Sequence, residues 1–234
     1  MCGRFAITLP PEAVRGFFAY LEQPNFPPRY NIAPTQPIPI VVAEPFSAGA
    51  IRHFMLVRWG FLPGFAKDPK KFPLIINARG ETLLGKPSFR AAVKRRRCLV
   101  ISDGFYEWRR GPGQAKQPFL IRRVNGEPMG FAGLYETWSD PNGGEIDTAC
   151  IVTTSANRLM AQVHDRMPVL IARADHARWL DNDGVDAGAA MELARPAPED
   201  ALELVPIGAA VNKYSNDGPQ VQAPLSDPIR AAAS

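Results

Sequence analysis

Residues 98–108 read CLVISDGFYEW, and this stretch indicates the fold class. Residues 98–101 are an apolar run typical of a buried strand, and residues 103–108 read as a second strand that follows with no helix between. Similar segments predict strands at 38–42, 51–59, 74–76, 149–154, 169–172 and 202–207. Because strands outnumber helices and no βαβ alternation appears, we expect an α+β fold with a mainly antiparallel, barrel-like β-sheet and short flanking helices.

Local signals add helices and turns to this framework. Apolar residues at helical spacing predict short helices at 10–22, 89–94 and 174–180, and another near Met191. Six prolines between residues 24 and 39 break any regular element, so we expect residues 29–34 to form an ordered loop that leads into an extended stretch. Segments 119–124 and 129–135 flank Asn125 and Gly126, a pair typical of the turn of a β-hairpin. We expect one domain over residues 1–234, in which the last residues, about ten, form a mobile tail.

Composition excludes several classes of protein. No apolar run approaches the roughly 20 residues of a membrane span, and no signal peptide is recognisable, which indicates a cytoplasmic protein. Three cysteines without CxxC spacing indicate neither a disulfide framework nor a zinc site. The formal charge of +4 is only a mild bias towards polyanions. The densest basic run, Lys94 to Arg97, is either a solvated face or an extension of a nucleic-acid surface.

Cys2 is the first candidate for chemistry. Removal of Met1 by an aminopeptidase would make it the mature N-terminus, with an α-amine of reference pKa about 7.7–8.0 beside a thiol of about 8.5. Such a 1,2-aminothiol can attack an amide, or condense with an aldehyde to an imine and then a thiazolidine. The alternatives are a frayed terminus or a buried apolar cysteine.

Further polar residues lie where sites are often built. Asn77 begins a polar segment at the end of the predicted strand 74–76. If 103–108 is a strand, Glu107 shares a face with Phe105, and burial there would suit its carboxyl to proton transfer; the alternative is an exposed strand residue. His164 lies in a polar cluster before the strand 169–172, where it is either functional or structural. The turn after Gly60 carries apolar side chains that either stack on bases or cap the core.

The ordered set of motifs resembles the SOS-response-associated peptidase family, whose members shield abasic sites in single-stranded DNA. The resemblance covers nearly the whole chain. It rests on Met1 to Phe5; Arg29 to Pro34; Trp59, Gly60 and Pro63; Asn77 to Thr82; Arg97 to Leu99; Gly104 to Trp108; His164 to Pro168; and Val211, Asn212 and Asn216 to Pro219.

The resemblance implies a role for each candidate residue. Cys2 would form a thiazolidine crosslink with the aldehyde of the abasic deoxyribose, a ring closure favoured because it is intramolecular. Glu107 would shuttle protons, His164 would act as a second acid/base or sugar-positioning group, and Asn77 would bind the Cys2 end and the sugar. The DNA contacts implied are Arg4, Arg79 and Arg166 to phosphates, and Trp59, Leu62 and Phe65 to bases. Phe65 stands where the family commonly has Trp. Its ring keeps a face for stacking but lacks the indole N–H, so we expect it to share the contact with DNA bases with Leu62.

The resemblance also implies the partner, which is single-stranded DNA containing abasic sites. We expect a monomer that binds it without cofactor, metal or membrane, and that is cytoplasmic, or on the nucleoid when bound to DNA. Crosslink reversal and autoproteolysis are further activities that it implies. Two other functions stay open. One is an N-terminal-Cys amidohydrolase of the glutaminase type, which also begins Met-Cys-Gly. The other is a non-enzymatic single-stranded-DNA-binding module with an incidental cysteine.

Overall fold

The computed structural model describes residues 2–111, 116–140 and 142–231. These residues form strands and short helices in the following order: β1 (Phe5–Ile7), α1 (Pro11–Phe18), β2 (Arg29–Ile32), β3 (Pro37–Ala43), β4 (Arg52–Trp59), β5 (Asn77–Arg79), α2 (Pro87–Arg95), β6 (Arg97–Ser102), β7 (Gly104–Arg109), β8 (Gln117–Arg123), β9 (Met129–Ser139), β10 (Glu145–Ser155), β11 (Arg166–Pro168), β12 (Leu170–Ile171), α3 (His176–Leu180), α4 (Ala187–Met191), β13 (Leu202–Pro206) and β14 (Ile229–Arg230). Among the described helices, none is long and apolar enough to cross a membrane.

Five strands close into a barrel. The eight-stranded sheet runs β11-β10-β4-β3-β6-β9-β12, and an additional pairing of β9 with β10 joins β10, β4, β3, β6 and β9 in a ring. All pairs in the ring are antiparallel except β4 with β10. The short strand β5 lies parallel to β10. Because ring closure pairs the strand edges with each other, this sheet provides a rigid support for the residues at its ends.

The second sheet has six strands in the order β14-β13-β8-β7-β1-β2, all antiparallel. One face of β7 packs Phe105 into the main core, and the other face packs Tyr106 into a smaller cluster with Leu120 and Val205. Because side chains alternate between the two faces of a strand, Glu107, two residues after Phe105, lies on the same face as Phe105. The predicted division of this strand into two faces is therefore confirmed.

The two sheets meet at the corner between β6 and β7. Asp103 fills that corner, and its carboxylate accepts hydrogen bonds from the backbone N–H groups of Thr8 and Leu9. Phe5 of β1 packs edge-to-face against Trp59 at 5.1 Å and against Phe131 at 6.2 Å between ring centroids. Since both partners belong to the barrel sheet, these contacts fix the β1 segment against the barrel.

The predicted fold class, α+β with a mainly antiparallel, barrel-like sheet and short helices, is confirmed. The predicted hairpin at Asn125 and Gly126 is wrong, because β8 pairs with β7 and β13 whereas β9 pairs with β6, β10 and β12. The strand predicted at 74–76 begins later, at Asn77, and Leu74 is 51% exposed.

Two further expectations need correction. The last residues were expected to form a mobile tail, but β14 pairs with β13 and Arg230 forms an ion pair with Glu203 at 2.7 Å; residues 232–234 lie outside the described residues. In the basic run, Arg97 is fully buried and donates to the carbonyls of Trp179, Asp181 and Val185, so it supports the core rather than any surface.

Candidate functional site

Cys2 lies in the interior directly before β1. It is 0% exposed and belongs to the main core. Its Sγ lies 3.7 Å from the carbonyl oxygen of Arg4, to which the thiol donates. The same oxygen accepts the N–H of Tyr106, which ties this segment to β7. Burial, together with the negative charge of Glu107, raises the pKa of the Cys2 thiol well above its ordinary value, so a base must take its proton before it can act as a nucleophile.

Glu107 stands on β7 beside the Cys2 segment. The register pairs Phe5 with Phe105, and continuing it by two residues puts Gly3 opposite Glu107. The Glu107 side chain is 4% exposed and shares the core-facing side of the sheet with its cross-strand neighbour Phe119. The alternative of an exposed strand residue is therefore wrong, and the carboxylate is close enough to Cys2 to act on its thiol electrostatically.

Asn77 holds the Cys2 backbone from the barrel side. It begins β5, whose pairing sets it opposite Ile151 of β10. Its Nδ2 donates to the carbonyl oxygen of Cys2 at 2.8 Å. Its Oδ1 is buried and has no hydrogen-bond partner among the described residues. A buried acceptor without a donor is costly, so this oxygen is a natural acceptor for a group of a bound ligand.

His164 precedes β11. Its Nδ1 accepts the backbone N–H of Arg166 at 2.9 Å and lies 2.8 Å from Oδ1 of Asp165. The Arg166 donor is fixed by the strand, whereas the Asp165 side chain is 88% exposed. We therefore assign Nδ1 as the acceptor in the neutral ring, which puts the proton on Nε2.

The three predicted phosphate-binding arginines differ in their surroundings. Arg4 Nη1 donates to Oδ1 of Asn31 at 2.8 Å and to the carbonyl of Val211 at 2.9 Å, and the side chain is half-buried. Arg79 is exposed and forms no ion pair with any described residue. Arg166 instead forms a two-pronged ion pair with Glu81, so its charge is already compensated within the protein.

The three predicted base-contacting side chains also separate. Trp59 is 0% exposed and donates its indole N–H to the carbonyl of Ile76 at 3.0 Å, so it cannot stack on a base in this conformation. Leu62 is 4% exposed and packs with Trp138, which means that it caps the core. Phe65 is 62% exposed, with its ring edge-to-face to Phe72 at 6.3 Å between centroids. Of the three, Phe65 alone presents a ring to an external partner.

Sequence reasoning missed the supports of the site. Asn31 is fully buried, and its Nδ2 donates towards the carbonyls of Val211, Lys213 and Asn216 at 2.9–3.1 Å while its Oδ1 receives Arg4. Asp217 accepts the N–H of Asn31 at 2.9 Å. The segment that Asn31 holds also orients Asn212, whose Oδ1 accepts the indole N–H of Trp108 at 2.7 Å. The motifs had marked these segments without assigning a role to them.

No group of three or more His, Cys, Asp and Glu side chains that could hold a metal ion occurs in the described part of the chain. The arrangement instead joins a thiol, a carboxylate and a primary amide. Such a set can activate a nucleophile, transfer protons and bind a polar reactant.

Comparisons with known proteins place this arrangement in a family. YoqW of Bacillus subtilis (strain 168), named an abasic site processing protein, is 35% identical over 224 residues, which cover 94% of this chain and 98% of that protein. HMCES of Rattus norvegicus, also named an abasic site processing protein, is 29% identical over 96% of this chain and 76% of its own length.

Solved structures share the fold. A protein from Bacteroides thetaiotaomicron superposes with a TM-score of 0.83 at 23% identity, over 96% of this chain and 100% of that one. A phage-related protein from Bordetella bronchiseptica gives 0.69 at 29% identity, over 88% of this chain and 94% of that one. The profile of the SOS response associated peptidase (SRAP) family matches residues 1–214. The chain therefore belongs to the SOS response associated peptidase family.

Proposed function

We propose that this protein captures abasic sites in single-stranded DNA by forming a thiazolidine between the deoxyribose aldehyde and Cys2, once Met1 has been removed. The hydrogen bond from Asn77 to the Cys2 carbonyl, beside the buried carboxylate of Glu107, is the observation that carries the proposal. It holds a 1,2-aminothiol in a fixed position between an amide and a proton-transfer group. The names of the relatives YoqW and HMCES support abasic sites as the substrate.

The proposed reaction has two bond-forming steps. The α-amine of Cys2 attacks the aldehyde carbon, and loss of one water gives an imine. The Cys2 sulfur then attacks the imine carbon, and the thiol proton passes to the imine nitrogen through Glu107. The product is the five-membered ring, and the net reaction is aldehyde plus aminothiol to thiazolidine plus water. The second step joins groups already linked, for which effective molarities reach about 10⁵–10⁸ M. Reversal follows the same steps backwards.

The surrounding residues bind the DNA in this proposal. The buried Oδ1 of Asn77 accepts a hydrogen bond from the sugar or from the Cys2 amine. His164 donates its Nε2 proton to a sugar oxygen, and Arg79, which has no ion-pair partner among the described residues, binds a phosphate. The exposed ring of Phe65 stacks on a neighbouring base. We further propose that residues 1–234 form one domain and act as a monomer, because the residues of the site come from both sheets of a single chain. We propose that the protein acts in the cytoplasm.

Intact-mass measurement tests the proposal. The Met1-trimmed protein is incubated with a single-stranded oligonucleotide that carries one abasic site, and we expect a heat-stable adduct of protein plus oligonucleotide minus one water. Cys2→Ala and an undamaged oligonucleotide should give none. Cys150→Ala is the matched control, since Cys150 is also a free, fully buried cysteine and should leave the adduct intact. Absence of an adduct from trimmed protein that binds the oligonucleotide would refute the proposal.

The alternative functions predict other results. An N-terminal-Cys amidohydrolase would release ammonia from free glutamine, and a plain DNA-binding module would keep every DNA-dependent property in Cys2→Ala. Autoproteolysis, a further activity proposed for this site, would appear as loss of Met1 from the purified protein without an aminopeptidase, and would disappear in Cys2→Ala.

A further inference from the structure

Helix α2, which lies one short turn after β5, presents an exposed cationic face. Residues 82–102 contain six lysine or arginine residues and no aspartate or glutamate. Two of the six are explained by the fold, because Arg97 is buried and Arg96 lies against Glu136. The other four are exposed and form no ion pair with any described residue: Lys86, Arg90, Lys94 and Arg95. The surface of α2 therefore carries four uncompensated positive charges.

The packing of α2 keeps these charges on the outside. Its buried side centres on Phe89, whose ring lies 5.5 Å from that of Phe61 between centroids. Pro87 and Ala91 are also exposed, so small uncharged residues fill the space between the cations. An elongated anion could lie along this face without meeting a carboxylate of the helix.

The stability of the helix does not explain this arrangement. Arg90 and Lys94 are four residues apart, and like charges at that spacing repel each other across one turn. Lys86 is the N-cap residue and the first turn holds no acidic residue, although the helix dipole favours negative charge at that end. Lys94 and Arg95 alone lie in the last turn, where the dipole favours a cation. An external polyanion would remove the repulsion along the whole face.

The position of α2 in the chain connects this face to the candidate site. Arg79 ends β5 and binds a phosphate in the proposed function. The 3-10 turn Gly80–Gly85 follows directly and contacts both β10 and α2. From the rise per residue of a 3-10 turn, an extended link and an α-helix, Lys94 lies at most about 30 Å from Arg79. At about 3.4 Å per nucleotide, a strand in duplex geometry covers this distance in about nine nucleotides, and an extended single strand in fewer.

We propose that the exposed face of α2 binds phosphates of the single strand that flanks the abasic nucleotide, continuing the contact made by Arg79. The inference rests on the proposed function, which fixes the abasic nucleotide at Cys2. It adds a surface that holds the DNA by charge, without reading its sequence. Because α2 extends from Arg79 in one direction, the face serves one flank of the strand and not the other.

Arg90→Gln combined with Lys94→Gln removes two charges and leaves the packed side of α2 unchanged. Each phosphate contact to a single strand contributes about 0.7 to the slope of log Kd against log salt. For an undamaged single strand of about 20 nucleotides, we therefore expect the slope to become shallower by about 1.4. The same two contacts correspond to a rise in Kd of about 25-fold at about 0.1 M salt, relative to a 1 M reference.

Adduct formation tests which flank is bound. An abasic oligonucleotide of about five nucleotides is too short to reach α2 from Cys2, so wild type and the double variant should need the same concentration for half-maximal rate. Extending the oligonucleotide by about 15 nucleotides on one side should lower that concentration for wild type more than for the variant. Extension on the other side should affect both proteins equally.

The chain offers two matched controls. Arg178→Gln with Arg230→Gln lowers the net charge equally, at exposed arginines that are already paired with carboxylates, and should leave Kd and slope as in wild type. Arg90→Lys with Lys94→Arg keeps both charges of the face. It should also keep Kd and slope, because a phosphate contact of this kind needs the charge rather than a particular side-chain shape.

The inference is overturned if the double variant binds the long strand as wild type does, if the Arg178 and Arg230 control loses as much affinity, or if both flanks show the same loss. A lower midpoint of urea unfolding with unchanged affinity would also overturn it, because the cations would then serve the helix alone. Failure of wild type to form any adduct is a different outcome. It refutes the proposed function, while the measurements on undamaged strand still decide whether α2 binds phosphates.

Discussion

Asn31→Asp is the change that tests the support of the site most sharply, because it alters one atom of a fully buried side chain and nothing of its shape. In wild type, Nδ2 donates towards three carbonyl oxygens, of Val211, Lys213 and Asn216, at 2.9–3.1 Å. The substitution puts an acceptor oxygen in place of that donor. The three carbonyls then face a carboxylate, while Arg4 still bonds the remaining oxygen.

The magnitude follows from counting the bonds. An amide has two N–H groups, so at most two full hydrogen bonds are lost, at about 0.5–1.5 kcal/mol each. The carbonyls of Val211 and Lys213 keep a second donor, in Arg4 and in the N–H of Asn216. The Asn216 carbonyl loses the donor that Asn31 supplies, which costs about 1–3 kcal/mol more, and the charge-assisted bond to Arg4 offsets about 1 kcal/mol. We expect the free energy of unfolding to fall by about 3 kcal/mol at pH 7. The corresponding drop in Tm is about 6–12 °C, since about 1 kcal/mol shifts Tm by about 2–4 °C in a chain of this size.

Urea unfolding at constant m value measures this change, with Asn142→Asp, at an exposed position, as the matched control. The new carboxyl faces carbonyl dipoles, so its pKa is raised in the folded state. A raised acid pKa destabilises the fold at pH values above the unfolded pKa of about 3.9, so the deficit should shrink as pH falls through the raised pKa and be smallest below about pH 4. A deficit under about 1 kcal/mol, or one that is the same at pH 3.5 and pH 7, would refute the reasoning.

Other predictions concern separate parts of the molecule. Arg97→Met should lower the free energy of unfolding by at least about 3 kcal/mol in urea titrations, because it leaves several buried carbonyls without a donor, whereas Arg96→Met, at a half-exposed pair, should cost under about 1 kcal/mol. Asn77→Ala should slow adduct formation at least tenfold in a quenched time course, with no comparable loss of affinity for undamaged strand. Phe65→Ala should weaken single-strand binding by about 1–3 kcal/mol in fluorescence titrations, and an unchanged Kd would exclude stacking there. The Glu81 carboxyl should titrate near pH 2 by ¹³C NMR, so the stabilisation from its ion pair should be complete above about pH 4.5 and lost as pH falls towards 2.

Local sequence signals predicted the positions of strands and turns better than they predicted which strands pair with each other. Apolar, β-rich segments identified most of the strands because their pattern is local, and the glycine turn at Gly126 is present, with φ of +73°. Which sheet a strand joins depends on tertiary packing. For that reason the turn between β8 and β9 passes from one sheet to the other instead of closing a hairpin.

In the candidate site, too, some features could be predicted from the sequence and others could not. Cys2 and Glu107 could be singled out because their side chains have distinctive chemistry, and the strand period placed Glu107 on its face. Burial could not be read from the sequence in the same manner: Trp59 is inside and Phe65 outside, although both are aromatic residues of one strand-and-turn segment. The supporting roles of Asn31 and Glu81 arise from partners far away in sequence, at 211–217 and at 166, which no local pattern reveals.

The position of β1 between β2 and β7 has a consequence for the order of events during synthesis. Its strand partners are β2 and β7, around residues 29–32 and 104–105; Asn77 holds the carbonyl of Cys2, and the side chain of Arg4 bonds the carbonyl of Val211. A growing chain that has reached only β6 therefore contains β1 and β2 but lacks β7, the strand that carries Glu107. Such long-range contacts form late and cooperatively. The aminothiol should gain its aligned, water-shielded setting only when nearly the whole polypeptide has left the ribosome.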